Sequence, residues 1–223
     1  MMVIHDLVSA MNYKKQVDTL TLDFSKAFDR TTHQRLLYKL SHYGIQRSLL
    51  SWIQVFLTKR TQKVALEGVL SNQCFVTSGV PQGMVLGPLL FLTCPYVFHQ
   101  QWDMFVDDCF LYRSINSPVD CQNIQKDLDT LTKWEKDWQM SFNVDKCLTI
   151  CFSTKKSNLD TTYVLNNHVL TQVHHHSYLG VILCEDLKWS EHIVHNYNIK
   201  CQTNCGIIRR NFRNVSVDCK SKL

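Results

Sequence analysis

Three aspartates carry the strongest chemical signal in the chain. Asp23 ends the run VDTLTLD (Val17–Asp23), and the pair Asp107-Asp108 sits inside WDMFVDDCFLYR (Trp102–Arg113). Strand-borne carboxylates brought to one sheet edge are the ligands a two-metal phosphoryl-transfer site needs. Hard Mg2+ takes carboxylate oxygens, keeps some waters and accepts phosphate oxygens from a substrate. Two ions about 4 Å apart stabilise both the attacking hydroxyl and the leaving group. The plainer reading is an Asp-Asp turn, because Asp readily hydrogen-bonds its own backbone there. Apolar strands such as those formed by Phe105-Val106 and Cys109-Phe110-Leu111 rarely carry charges without a reason. The residues alone leave both readings open.

The elements around these acids follow from periodicity. Val17–Asp23 is β-rich and delivers its acid to a strand end, and Trp102–Arg113 reads as two short strands folded about the Asp pair. Met1–Lys15 has the spacing of a short amphipathic helix. Helices are expected at His33–Tyr43 and Ser48–Leu57, separated by Gly44. Thr61–Glu67 and Gln73–Thr77 alternate like a hairpin around Gly68. Pro118–Trp138 has Pro in its first turn and Cys121, Ile124, Leu128, Leu131, Trp134 and Trp138 at intervals of three or four, the clearest helix in the chain. It is expected to cover the sheet face opposite the acids, with both tryptophans buried. Strands are expected at Cys147–Phe152, Tyr163–Leu165, Val169–Val173 and Tyr178–Leu183, and a basic helix at Trp189–Phe212. Mixed elements without strict βα alternation indicate an α+β fold.

With 223 residues, 45% hydrophobic and 19% charged, the chain is neither a disordered tail nor a coiled coil, and it can bury a real core. The net charge of +5 lies in Lys188–Leu223, where seven bases face two acids; the first 187 residues sum to zero. A basic end on a neutral body permits a polyanion partner. None of the ten cysteines forms a CxxC pair, and Met1–Ala10 has no basic leader, so free thiols inside a cell, nuclear or cytoplasmic and not secreted, are expected. Val80–Phe98 is apolar, but Pro81, Pro88 and Pro95 with Gly83 and Gly87 break a spanning helix, so a buried loop-helix is expected and no membrane. His174-His175-His176 alternate between strand faces and make a poor metal cluster with His168.

Four motifs in order, TLDFSKAFDRTTHQRLLYKL (Thr21–Leu40), SGVPQGMVLGPLLF (Ser78–Phe91), FVDD (Phe105–Asp108) and YLGV (Tyr178–Val181), resemble the reverse transcriptase domain of non-LTR retrotransposons; MSFNVDKC (Met140–Cys147) fits the same scheme. The resemblance runs from about Val17 to Arg213. It implies a polymerase palm, an antiparallel sheet backed by helices on a split βαβ-like plan. It implies an RNA-directed DNA polymerase that extends a DNA primer on an RNA template with dNTPs and Mg2+, or Mn2+ in its place. Under it, Asp23, Asp107 and Asp108 are the metal-binding catalytic acids, and Lys146 helps protonate the leaving pyrophosphate. Phe24 and Phe28 contribute to the substrate site, Phe28 as a steric gate against a ribose 2′-hydroxyl. Gly79, Pro81, Gln82 and Gly83 support the templating base and incoming nucleotide, their glycines letting nucleic acid approach closely. Leu179 and Gly180 belong to a primer-grip hairpin, and Arg209, Arg210 and Arg213 meet duplex phosphates.

On the same resemblance, residues 1–16 are a remnant of the fingers, 17–153 the palm, and 154–223 the primer grip and the start of a thumb. The chain departs from the pattern in three ways: little of the fingers, a short LTCPYVFHQQWDM (Leu92–Met104) where a longer segment is usual, and Val106 in place of alanine. The short segment reads as a deletion or a misjoined gene model. The expectation is a truncated copy whose own activity is weak or lost, since positioning supplies much of the acceleration in phosphoryl transfer. The competing expectation is an inactive relic that at most binds nucleic acid.

Overall fold

The structure is a computed structural model and describes residues 2–94, 102–105, 108–155 and 157–198. In chain order the helices are α1 (Met2–Asn12), α2 (Ala27–Arg30), α3 (His33–His42), α4 (Arg47–Leu57), α5 (Leu86–Leu92) and α6 (Pro118–Trp138). The strands are β1 (Gln16–Asp23), β2 (Thr61–Gln62), β3 (Ala65–Leu66), β4 (Val69–Leu70), β5 (Cys74–Phe75), β6 (Trp102–Phe105), β7 (Asp108–Ile115), β8 (Leu148–Phe152), β9 (Val164–Leu165), β10 (His168–Val169), β11 (Thr171–Gln172), β12 (His175–Tyr178) and β13 (Val181–Cys184). Two compact units divide the chain, Met1–Gln172 and Val173–Leu223.

The first unit is built on a five-stranded sheet of order β11-β8-β1-β7-β6. β1 lies at its centre, pairing antiparallel with β7 and with β8. That position explains its sequence, since every residue from Gln16 to Leu22 is buried. Alternation places Leu20 and Leu22 on one face and Thr19, Thr21 and Asp23 on the other. Leu20, Leu22 and Leu111 share one core with Ile124, Leu128, Leu131 and Trp134 of α6. The helix therefore covers the face opposite Asp23, as expected of a palm. On the other face α1 packs against β1, and the Tyr112 hydroxyl donates to the Asp6 carboxylate at 2.7 Å.

α6 starts where its sequence says it should. The Asp120 carboxylate accepts the backbone N–H groups of Asn116 and Ser117 at 3.0 and 2.9 Å, and Pro118 occupies the first turn. Those backbone donors hold the Asp120 carboxyl below its ordinary range.

Several expectations need correction. The sheet is not wholly antiparallel, because β11 runs parallel to β8 after the β9–β10 hairpin has carried the chain back. The hairpin around Gly68 is two short ladders, β2 with β5 and β3 with β4. Between them the Ser71 hydroxyl, not a backbone carbonyl, takes the Val64 N–H at 2.9 Å. Val169–Val173 splits into β10 and β11, because the Leu170 N–H turns to the Tyr163 carbonyl. Tyr178–Leu183 is a hairpin rather than one strand. Leu179 and Gly180 have φ of 50° and 80°, the backbone of a turn that matches strand twist. Trp134 is buried, but Trp138, the last residue of α6, is only half-buried beneath the Lys39 ammonium, 4.7 Å above its ring.

Of the basic helix expected at Trp189–Phe212, residues 190–198 are helical and the remainder lies outside the described residues. Val80–Phe98 contains the seven-residue α5, whose Leu90 and Phe91 are core. Among the described residues no helix is long and apolar enough to cross a membrane. The seven described cysteines are free thiols, five of them buried.

Candidate active site

β1 and β7 are paired in the register that sets Asp23 directly opposite Asp108. Cross-strand partners on an antiparallel pair share a face and hold their Cβ atoms roughly 5 Å apart. Each acid is half-buried at the strand end. Phe105 of β6 is the other partner of Asp108, so the two strands around the sequence Val106-Asp107 are neighbours, as expected. Val106 and Asp107 themselves lie outside the described residues.

Two carboxylates face to face repel one another, and a cation lies beside them. Lys146 Nζ is 3.6 Å from Asp23 Oδ2. The lysine closes a 3-10 turn, Val144–Lys146, that leads into β8. Backbone contacts lay this segment along the end of β1: Asn143 N–H donates to the Asp23 carbonyl at 2.7 Å, Ser25 N–H to the Ser141 carbonyl at 2.8 Å, and Phe24 bridges Phe142. Cys147 follows, and burial pushes its thiol up to about 11, so it stays neutral beside Asp23.

The expected substrate residues separate by burial. Phe24 is a core residue: its ring stacks on Phe142 at 4.4 Å and meets Phe91 edge-on at 5.8 Å. Its side chain therefore serves packing beside Asp23. The Phe28 ring is nearly buried, 5.3 Å from Phe91. Gly79 and Pro81 are buried, whereas Gln82 and Gly83 are exposed.

The loop Ser78–Gly83 is tied to the turn that carries Phe28. Gly79 N–H donates to the Thr31 carbonyl and Val80 N–H to the Phe28 carbonyl, both at 2.7 Å, and the Ser78 hydroxyl donates to the Asp29 carbonyl at 2.8 Å. A Cβ on Gly79 would lie 2.6 Å from the Phe28 oxygen and 2.8 Å from the Asp29 Cα. The close approach that requires glycine here is thus to the chain's own backbone. Gly87, at the start of α5, is pressed likewise against the Pro81 carbonyl. Nothing among the described residues crowds Gly83.

Leu179, exposed, and Gly180 form the tip of the β12–β13 hairpin in the second unit. Arg209, Arg210 and Arg213 lie outside the described residues.

Sequence reasoning passed over two buried polar residues that organise this region. Glu135 of α6, 6% exposed, accepts the Phe142 N–H and the Asn166 side-chain amide, each at 2.5 Å. It thereby anchors the segment that runs along Asp23. His33, 7% exposed, reaches the Gly79 carbonyl with Nε2 at 2.7 Å. The signal for Glu135 is its spacing: four residues after Leu131 and three before Trp138, it puts a charge on the apolar stripe of α6.

Comparison with known proteins adds an independent line. The family profile described as reverse transcriptase (RNA-dependent DNA polymerase) matches residues 2–183. The chain is 28% identical over 238 residues to the RNA-directed DNA polymerase from mobile element jockey of Drosophila funebris, covering 99% of this chain and 26% of that protein. It is also 28% identical to the probable RNA-directed DNA polymerase from transposon X-element of Drosophila melanogaster, covering 86% of this chain and 22% of that one. The chain thus spans about a quarter of the length of these relatives. Among solved structures, apo telomerase from Candida tropicalis, truncated from its C-terminal domain, superposes with a TM-score of 0.55 at 12% identity. That match covers 84% of this chain and 38% of the telomerase chain, and it shows a shared fold.

Proposed function

The chain belongs to the reverse transcriptase family, in its non-LTR retrotransposon branch, and on that premise we propose that it is a palm for RNA-directed DNA synthesis, extending a DNA 3′-end on an RNA template. The observation that carries the reading is the register placing Asp23 opposite Asp108 on one sheet face, with the Lys146 ammonium 3.6 Å from Asp23.

The donor set suits a hard divalent cation: carboxylate oxygens on neighbouring strands at a half-buried strand end. Asp23 and Asp108 would hold Mg2+ together with Asp107. Bound there, it would supply charge stabilisation for the attacking 3′-oxygen and the leaving pyrophosphate. The residues of the chain do the rest. β1 and β7, fixed by the burial of Gln16–Leu22, hold the two acids in a geometry that does not reorganise during reaction. Lys146 carries a proton within reach of the same strand end, where a leaving pyrophosphate would take it up. The Phe28 ring, backed by Phe91, has no room to retreat from a ribose 2′-hydroxyl. The exposed Gln82 and Gly83 are presented to template and nucleotide by the anchored loop. Leu179 and Gly180 would face the primer, and Arg209, Arg210 and Arg213 the duplex phosphates.

Primer extension on an RNA template with Mg2+ or Mn2+ tests this, comparing the intact chain with Asp23→Asn. A lost metal carboxylate should slow extension by roughly a thousandfold, the equivalent of several kcal/mol of charge stabilisation. Equal extension by both would refute the site. Binding of template–primer by both, without extension, would leave an inactive relic.

A further inference from the structure

We infer that His33 is a positioning residue for the nucleotide site, clamping the Gly79–Val80 peptide against the Phe28 turn; the inference rests on the polymerase reading above. The carbonyl of Gly79 and the N–H of Val80 belong to one peptide unit. The N–H donates to the Phe28 carbonyl at 2.7 Å, and the carbonyl receives His33 Nε2 at 2.7 Å. A carbonyl only accepts, so His33 must carry its proton on Nε2. The peptide plane is therefore held from both sides, and rotating it would break both bonds at once.

The other ties of this loop to residues 28–31 end on backbone carbonyls. His33 supplies a side chain, and it does so from a rigid element. It is the first residue of α3, whose Leu36 and Leu40 are fixed in the core. Pro81, two residues beyond Gly79, is buried with restricted φ. The orientation set at the clamped peptide thus passes directly to the exposed Gln82 and Gly83. The opposite end of the clamp is the backbone of Phe28 itself. His33 consequently sets the spacing between the ring that would gate the sugar and the loop that would support the base. It touches neither substrate.

The test uses the intact chain and three variants: His33→Ala, His33→Leu, which keeps apolar bulk without a donor, and His33→Gln, whose amide donates at a similar reach. The first readout needs no chemistry. Exchange of the Val80 amide hydrogen should quicken roughly tenfold in His33→Ala and His33→Leu, the scale of one lost hydrogen bond. It should return to within about threefold of wild type in His33→Gln, with the Leu20 and Leu111 amides unchanged in all three. The second readout is single-nucleotide addition. KM for dNTP should rise roughly tenfold in the Ala and Leu variants while kcat moves less than about threefold, and discrimination against rNTP should fall. Gln should restore both. Unchanged Val80 exchange, core amides that loosen together with Val80, a Gln variant as impaired as Ala, or a loss confined to kcat would each overturn the assignment. A wild-type chain that extends no primer would instead sink the polymerase reading, and the exchange measurement would still decide the clamp.

Discussion

Gly79→Ala, set beside Gly83→Ala, isolates the cost of undocking the loop from the Phe28 turn. Both glycines have positive φ, +87° and +76°, so an alanine at either pays the same left-handed penalty, about 1 kcal/mol. The gain from a stiffer unfolded chain is also common to both and cancels in the comparison. The surroundings differ. At Gly83 nothing among the described residues lies within 4 Å of the added methyl. At Gly79 the methyl would meet the Phe28 oxygen at 2.6 Å and the Asp29 Cα and oxygen at 2.8 Å, all backbone atoms with no flexible side chain to yield. The loop must lift away, weakening the bonds from the Gly79 and Val80 amides, each worth about 1 kcal/mol. Gly79→Ala should therefore cost about 3 kcal/mol and Gly83→Ala about 1 kcal/mol. For a unit of this size that is a fall in Tm of roughly 6–12 °C against 2–4 °C. Urea denaturation followed by circular dichroism, with the m-value checked for constancy, measures both. Equal losses would refute the docked loop, because they would leave only the backbone penalty shared by the two sites.

Three further outcomes are expected. Glu135→Met leaves the buried Phe142 N–H without its acceptor and should destabilise by about 1–3 kcal/mol in urea melts; a change below about 0.5 kcal/mol would contradict its anchoring role. Lys146→Met removes an exposed ion pair, so stability should stay within about 0.5 kcal/mol while primer extension slows; equal retention of both would remove the lysine from the reaction. In the second unit, the Glu185 carboxylate hydrogen-bonded to His174 at 2.8 Å raises the histidine's pKa above its ordinary 6.5. The folded form therefore favours the proton, and the pair's small contribution is fully present below about pH 6.5 and fades as pH rises through the raised value. An NMR titration should show His174 titrating above its usual range and returning to it in Glu185→Gln.

Patterns governed by local repeat are legible in the amino-acid sequence. The period of Cys121, Ile124, Leu128, Leu131 and Trp134 marks α6 from Pro118 to Trp138, because the buried stripe and the proline of the first turn are written in neighbouring residues. The β-rich run Val17–Asp23 also marks β1, although its place at the centre of the sheet comes from pairing with β7 and β8. The motifs around Asp23 and Asp108 likewise identified the family, since order and residue type persist without knowledge of contacts. Short strands fared worse. Val169–Val173 and Tyr178–Leu183 are apolar enough for one strand each, yet Leu170 is drawn to Tyr163, and the turn at Leu179-Gly180 lets β12 and β13 pair. Strand pairing is a long-range choice that overrides local propensity.

By itself, then, the sequence determined which residues could do chemistry, which helices and strands carry them, and to which family they belong. Tertiary structure alone decided the register that sets Asp23 against Asp108, the approach of Lys146 to Asp23, and the withdrawal of Phe24 into the core. It alone recruited Glu135 and His33, two polar residues whose partners lie 7 and 46 positions away. The physical reason is that a hydrogen bond or ion pair depends on distance in space, which folding sets, whereas amphipathic period and turn chemistry depend on distance along the chain.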